Sequence, residues 1–284
     1  MNTITRLCKA KINLVIDVLE RLPNSYHTVR MVMMRVNFGD EVTVTLRDDN
    51  QIVLGGDDPD MPIGRENIAY RAAEAVLEKA GSSLGCDIYI RKRVPMGAGM
   101  AGGSADAAGV INMLNELLGE PLTLEERLEI GLKLGADVPF CIMDCCAIAE
   151  GIGEKLTPIP DPPEMSFVIA KPKQSISTKW AYENLDFSQK PREMDIDALA
   201  EAIKQGDAAK MFASMGNVFE NVSIPACPEI AEYKDLLRSL GADYALMSGS
   251  GSAVFGIFLN RDGAESACRE FEQAKPDNGG LWLV

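Results

Sequence analysis

The feature that most constrains this chain is a run of small residues, Pro95-Met96-Gly97-Ala98-Gly99-Met100-Ala101-Gly102-Gly103-Ser104-Ala105-Asp106-Ala107-Ala108. A short alternating strand at 87–91 precedes it, and a helical pattern through Ala107, Ile111, Leu114 and Leu118 follows, stopped at Gly119. Glycines at such a junction let the backbone approach a ligand and aim free N–H groups at it. The helix N-terminus adds partial positive charge, so the combination makes a phosphate cradle. Arg91, Lys92 and Arg93 put positive charge just upstream. The plainer alternative is a glycine turn that allows close helix packing.

Gly97-x-Gly99-x-x-Gly102 also fits a dinucleotide fingerprint, but that motif needs a parallel strand after the helix. Here a further helix follows, opened by a capping box of Thr123 and Glu126 and ending near Gly135. A protein-kinase loop needs a His-Arg-Asp segment, and the single histidine, His27, is followed by threonine. No Walker string is present. A phosphate loop of another type remains.

Around the loop, residues 10–18 alternate, with Ile12, Leu14, Ile16 and Val18 on one face and Lys11, Asn13, Val15 and Asp17 on the other, which predicts a half-buried strand. Strands are also expected at 41–46, 165–170 and 281–284, and a hairpin-like pair at 244–247 and 253–259 flanks a Gly/Ser turn. Helices are expected at 66–80, 196–204, 208–219, 228–240 and 263–273, and the proline-rich segment 156–164 reads as a linker. The order points to a split α+β class.

Composition bounds the function. The 284 residues carry a formal charge of −14, against the basic face that nucleic acid demands. No apolar run reaches the roughly 20 residues that span a bilayer, so no membrane partner and a cytoplasmic location are expected. Seven scattered cysteines and one histidine suit a reducing compartment and leave little for a metal site.

Four segments together resemble the GHMP kinases. The glycine loop is similar to their Pro-x-x-x-Gly-Leu-Gly-Ser-Ser-Ala motif, with Met100 in place of leucine. Ala10-Lys11-Ile12-Asn13-Leu14, followed by Tyr26-His27, looks like the A-K-I-N-L…G-Y-H signature of the diphosphocytidyl-methylerythritol kinases, with Ser25 where that family has glycine. Gly135-Ala136-Asp137-Val138-Pro139-Phe140 and Glu150-Gly151-Ile152-Gly153-Glu154 resemble their G-A-D-V-P-F region. Met247-Ser248-Gly249-Ser250-Gly251-Ser252 is similar to the third, glycine-rich motif.

The resemblance implies a two-lobed α+β fold: an N-terminal lobe at 1–160 like the ribosomal S5 domain 2, which binds ATP, and a ferredoxin-like C-terminal lobe at 161–284. It implies ATP with Mg²⁺ carried on the nucleotide, a cytidine diphosphate-linked polyol as acceptor, and a monomer or weak homodimer. Asp137 would be the base and Lys11 its partner, although by pattern alone these are a turn aspartate and a strand lysine. The loop from Pro95 through Ser104 and Ala105 would hold the triphosphate, with the Ser104 hydroxyl near Mg²⁺. Tyr26 and His27 would form the pyrimidine end, Tyr182 would be a second stacking ring or else plain packing, and Asn13 would be a further substrate-binding residue. Gly249 and Gly251 would approach the substrate, or else simply make a tight hairpin turn. A GHMP kinase of another acceptor, or a nucleotide-binding module without chemistry, shares part of this pattern.

Overall fold

The alternation at 10–18 is the middle of a much longer strand, β1 (Thr3–Arg21), which neighbours β2 (His27–Arg47). The computed structural model describes residues 2–23, 26–186 and 194–284, and statements of absence below refer to these. After β2 come β3 (Ile52–Gly56), α1 (Ile68–Lys79), β4 (Gly85–Arg91), α2 (Gly102–Leu117), α3 (Leu124–Leu134), α4 (Val138–Met143), β5 (Cys146–Glu150) and β6 (Lys155–Ile159). The remainder comprises β7 (Ser166–Lys171), α5 (Thr178–Glu183), α6 (Ile196–Gln205), α7 (Ala208–Ser214), β8 (Gly216–Asn217), α8 (Glu220–Ala226), α9 (Glu229–Ser239), β9 (Tyr244–Met247), β10 (Val254–Phe258), α10 (Arg261–Ala274) and β11 (Gly280–Leu283). No helix is long and apolar enough to cross a membrane.

Packing divides the chain into two interleaved units. Unit 1 is Met1–Lys11, Arg35–Met96 and Ala101–Cys145; unit 2 is Ile12–Met34, Gly97–Met100 and Cys146–Val284. The two long strands and the glycine loop therefore contribute residues to both.

In unit 1 the strand order is β3-β4-β2-β1, with β3 parallel to β4 and β4 antiparallel to β2. One face carries Val42, Val44, Leu54, Ile88 and Ile90, which pack with Ala72 and Val76 of α1 and Val110, Ile111 and Leu114 of α2. The other face is polar, with Thr5 and Thr43 hydroxyls 2.8 Å apart across β1 and β2. This inward-outward alternation is what fixes the register. The expected capping box opens α3: Thr123 Oγ1 accepts from the Glu126 amide at 3.3 Å, and Glu126 returns the bond at 3.1 Å.

In unit 2, β8 lies parallel to β1 through Val15 and Ile16, and β2 pairs with β5, which pairs with β6. A second sheet has the order β11-β7-β10-β9, every pair antiparallel, with α9 and α10 packed against it. Counting these strands from β7, the order is 4-1-3-2 in a β-α-β-β-α-β succession, the ferredoxin-like arrangement.

Three expectations are corrected. The segment at 156–164 is not all linker, because 155–159 forms β6 with Pro158 opposite Ala147. Nothing pairs with the outer side of β6, so a proline without an N–H is tolerated there. The helix expected at 208–219 ends at Ser214, since Met215 turns extended and the chain enters β8. Residues 10–18 are buried on both faces, including Lys11, Asn13 and Asp17.

At Gly39 of β2 the two long strands lie against each other, and an added Cβ would stand 2.1 Å from the Cys8 carbonyl oxygen. Gly39→Ala should force β1 and β2 apart and lower stability by about 1–3 kcal/mol in urea unfolding. An unchanged midpoint would contradict this register.

Candidate functional site

A lysine buried on a strand needs a counter-charge. The Lys11 ammonium lies 3.8 Å from Asp137 Oδ2; the lysine side chain is 6% exposed and the aspartate 33%. The position of Asp137 follows from local sequence. Gly135 ends α3 by bonding back to Gly131, and Pro139 near the start of α4 lets the next helix begin at once. Asp137 becomes the N-cap of α4, yet its side chain makes no capping bond. Its carboxylate is directed instead toward the ammonium.

The glycine loop has the left-handed turns its composition suggested. Gly97 and Gly99 have φ of +64° and +73°, and Ala101 follows at +56°. Ala101 is the N-cap of α2 and offers no side chain to cap it. The first-turn amides of Gly102, Gly103 and Ser104 thus have no side-chain acceptor, in the arrangement that suits an anion. Within unit 2, Ser248 Oγ donates to the Gly99 carbonyl at 3.0 Å, and a Cβ on Gly99 would be 2.3 Å from the Ser248 oxygen. The third glycine motif is therefore a buried turn pressed against the loop, with Gly249 facing Gly99 and Gly251 bonding back to Ser248.

Asn217 of β8 secures that turn, its Nδ2 donating to the carbonyls of Met247 at 2.8 Å and Gly249 at 2.7 Å. Sequence reading passed over Asn217 because 208–219 looked like one helix.

At the pyrimidine end expected for unit 2, the His27 and Tyr182 rings stack with centroids 5.0 Å apart and planes 25° apart. Phe219, not singled out from sequence, meets Tyr182 edge-on at 4.8 Å. Tyr26 is exposed, and Asn13 is buried with its amide donating to Met31 Sδ at 3.2 Å. Ser25 lies outside the described residues. Burial, helped by the charge of Arg21, lowers the pKa of His27.

Two of the three basic side chains upstream of the loop are committed to carboxylates. Arg91 pairs with Glu41 at 2.9 Å. Lys92 turns inward to Asp40 and Asp106, at 2.5 and 2.9 Å. Burial opposes its charge, but Asp106 and Asp40 outweigh burial and raise its pKa. Burial pushes the Asp106 carboxyl up to about 8, with Lys92 pulling the other way. No group of three or more histidine, cysteine or acidic side chains could hold a metal ion among the described residues.

Comparison with known proteins agrees over the whole length. The model of the GHMP kinases N terminal domain matches residues 67–149, and that of the GHMP kinases C terminal matches 199–277. A 4-diphosphocytidyl-2-C-methyl-D-erythritol kinase of Lachnoclostridium phytofermentans is 42% identical over 96% of this chain and 94% of its own. One from Geobacter metallireducens is 42% identical over 100% and 98%. The crystal structure of a 4-(cytidine 5'-diphospho)-2C-methyl-D-erythritol kinase superimposes with a TM-score of 0.82 at 32% identity, covering 99% of this chain and 98% of that one.

Because His27 is the only histidine, its titration can be followed in solution without assignment. Its NMR resonances should titrate below the ordinary imidazole value of 6.5. A histidine whose pKa is lowered on folding binds fewer protons in the native state, so its contribution destabilises the fold as pH falls through that ordinary value. Titration at or above 6.5 would mean that the ring is not buried in this way.

Proposed function

The chain belongs to the GHMP kinase family, and from that premise we propose that it transfers the γ-phosphoryl group of ATP to the 2-hydroxyl of 4-diphosphocytidyl-2-C-methyl-D-erythritol in the non-mevalonate route to isoprenoid precursors. The observation that carries the reading is the Lys11–Asp137 pair, a buried ammonium 3.8 Å from a carboxylate that its helix leaves uncapped. Phosphoryl transfer asks a protein for positioning, charge neutralisation and a base for the attacking hydroxyl. Asp137 takes the hydroxyl proton. Lys11 keeps Asp137 ionised and offsets charge on the nascent alkoxide. The acceptor oxygen bonds to the γ-phosphorus as the bridging β–γ bond breaks, and ADP leaves.

The loop from Pro95 through Met96, Gly97, Ala98, Gly99, Met100, Ala101, Gly102 and Gly103 to Ser104 and Ala105 cradles the triphosphate. The unaccepted amides at the start of α2 support this role. Mg²⁺ would arrive on the nucleotide, and Ser104 is the residue whose hydroxyl would help to hold it; an ion held chiefly by phosphates needs no protein cage. His27 and Tyr182 present paired rings for a cytosine, with Tyr26 and Asn13 completing that end. Gly249 and Gly251 bring backbone close to the substrate. As family domains the lobes divide at 160/161, with one matched stretch falling on each side. The enzyme works in the cytoplasm as a monomer or weak homodimer.

The test is ADP release from Mg-ATP with each of four acceptors: the diphosphocytidyl methylerythritol, homoserine, galactose and mevalonate. Turnover with the first alone is expected. Turnover with another acceptor would overturn the pyrimidine assignment, and silence with all four would favour a binding module. Asp137→Asn should lower kcat by about 10²–10⁴-fold in protein that is still folded, and should also lower the thermal midpoint because Lys11 loses its counter-charge; full activity would remove Asp137 as the base. Tyr182→Ala should raise KM for the cytidine substrate by about 5- to 100-fold, the worth of one stacked base, and leave KM for ATP unchanged.

A further inference from the structure

Unit 1 contains a charged cluster that the transfer chemistry does not use. Asp40, at the end of the inner stretch of β2, is fully buried. Its Oδ1 accepts from the backbone amides of Arg93 at 2.5 Å and Val94 at 2.8 Å, the two residues that lead into Pro95. Its Oδ2 accepts from the Lys92 ammonium, which also donates to Asp106 Oδ2 on the second turn of α2. The start of the helix lies against the same place: a Cβ on Gly102 would come within 2.9 Å of Val94 Cγ1 and 3.5 Å of Asp40 Oδ2. The chain leaves this cluster at Val94 and returns to it at Gly102. Between those points it passes through the left-handed residues Gly97, Gly99 and Ala101.

A buried lysine between two carboxylates is an expensive way to stabilise a fold, because desolvation consumes most of the attraction and apolar packing of the same shape does as well. Charge-assisted hydrogen bonds supply instead direction and a fixed length. Asp106 Oδ1 has no hydrogen-bond partner, so the carboxylate is held from its other oxygen, where Lys92 sits.

We propose that Asp40, Lys92 and Asp106 are positioning residues that clasp the two ends of the phosphate loop, setting its span so that the first amides of α2 are aimed before nucleotide arrives. This rests on the reading of 95–105 as the triphosphate cradle. None of the three touches the reacting atoms. Their effect falls on ATP through the backbone they hold, because preorganisation removes an ordering cost from binding.

Two variants test the clasp, with MgATP affinity by calorimetry, KM for ATP and for the acceptor, and the thermal midpoint as readouts. Lys92→Met leaves Asp40 and Asp106 facing each other with no cation between them. It should raise both the MgATP Kd and KM for ATP at least tenfold, keep KM for the acceptor within twofold, and lower the midpoint. The combined Asp40→Asn, Lys92→Met, Asp106→Asn variant removes all charge together and keeps acceptors for the Arg93 and Val94 amides. It should fold with a midpoint near that of the parent and still show the loss toward ATP. A folded combined variant with parental KM for ATP, or a combined variant that cannot fold, would overturn the clasp, since either result makes the cluster purely structural. Failure of the parent protein to bind MgATP would overturn the kinase reading and the clasp together; parental binding that no variant alters would overturn the clasp alone.

Discussion

A positive charge taken out of water has to meet a negative one, and in unit 1 that requirement organises both the Lys11–Asp137 pair and the ends of the glycine loop. Lys11 and Lys92 are both buried, one on β1 and the other just past β4. Each fixes where a carboxylate must stand. For Lys11 it is Asp137, delivered by the tight passage from α3 into α4. For Lys92 it is Asp40 on the neighbouring strand and Asp106 on the helix after the loop. The first pair retains a partly exposed carboxylate. The second is sealed and holds backbone.

In the proposed function the phosphates are held by backbone more than by side chains. This reconciles a chain of formal charge −14 with a polyanionic cosubstrate. The first-turn amides of α2 supply local positive potential without any net charge. Arg91 and Lys92, which could have supplied it as side chains, are committed to Glu41, Asp40 and Asp106. In unit 2 the same economy recurs, where the serine-glycine turn after β9 seats against Gly99 through a hydroxyl-to-carbonyl bond and a glycine-to-glycine approach.

Where sequence reading missed, the cause was long-range pairing. Residues 208–219 have a helical composition throughout, yet β1 recruits Gly216 and Asn217 as a short parallel strand, and the helix breaks to supply it. Residues 155–159 read as linker because of their prolines, but an edge position does not need the missing N–H. The alternation of Lys11, Asn13 and Asp17 predicts a half-buried strand, but period alone cannot tell a wet face from a buried polar one.

The sequence by itself determined what depends on neighbours in the chain. That includes the strand–glycine–helix junction, the capping box of α3, the hairpin of β9 and β10, and the family to which four ordered motifs belong. These are set by backbone permissiveness and short-range periodicity, which a string of residues displays directly. Only the tertiary structure decided which distant side chains meet: Lys11 with Asp137, His27 with Tyr182, Asn217 with the third glycine turn, and Asp40 with Lys92 and Asp106. Such partners lie from 14 (Lys92 and Asp106) to 155 (His27 and Tyr182) positions apart. Their pairing is dictated by the burial of charge and ring surface once the sheets are assembled, an energy that has no local signature along the chain.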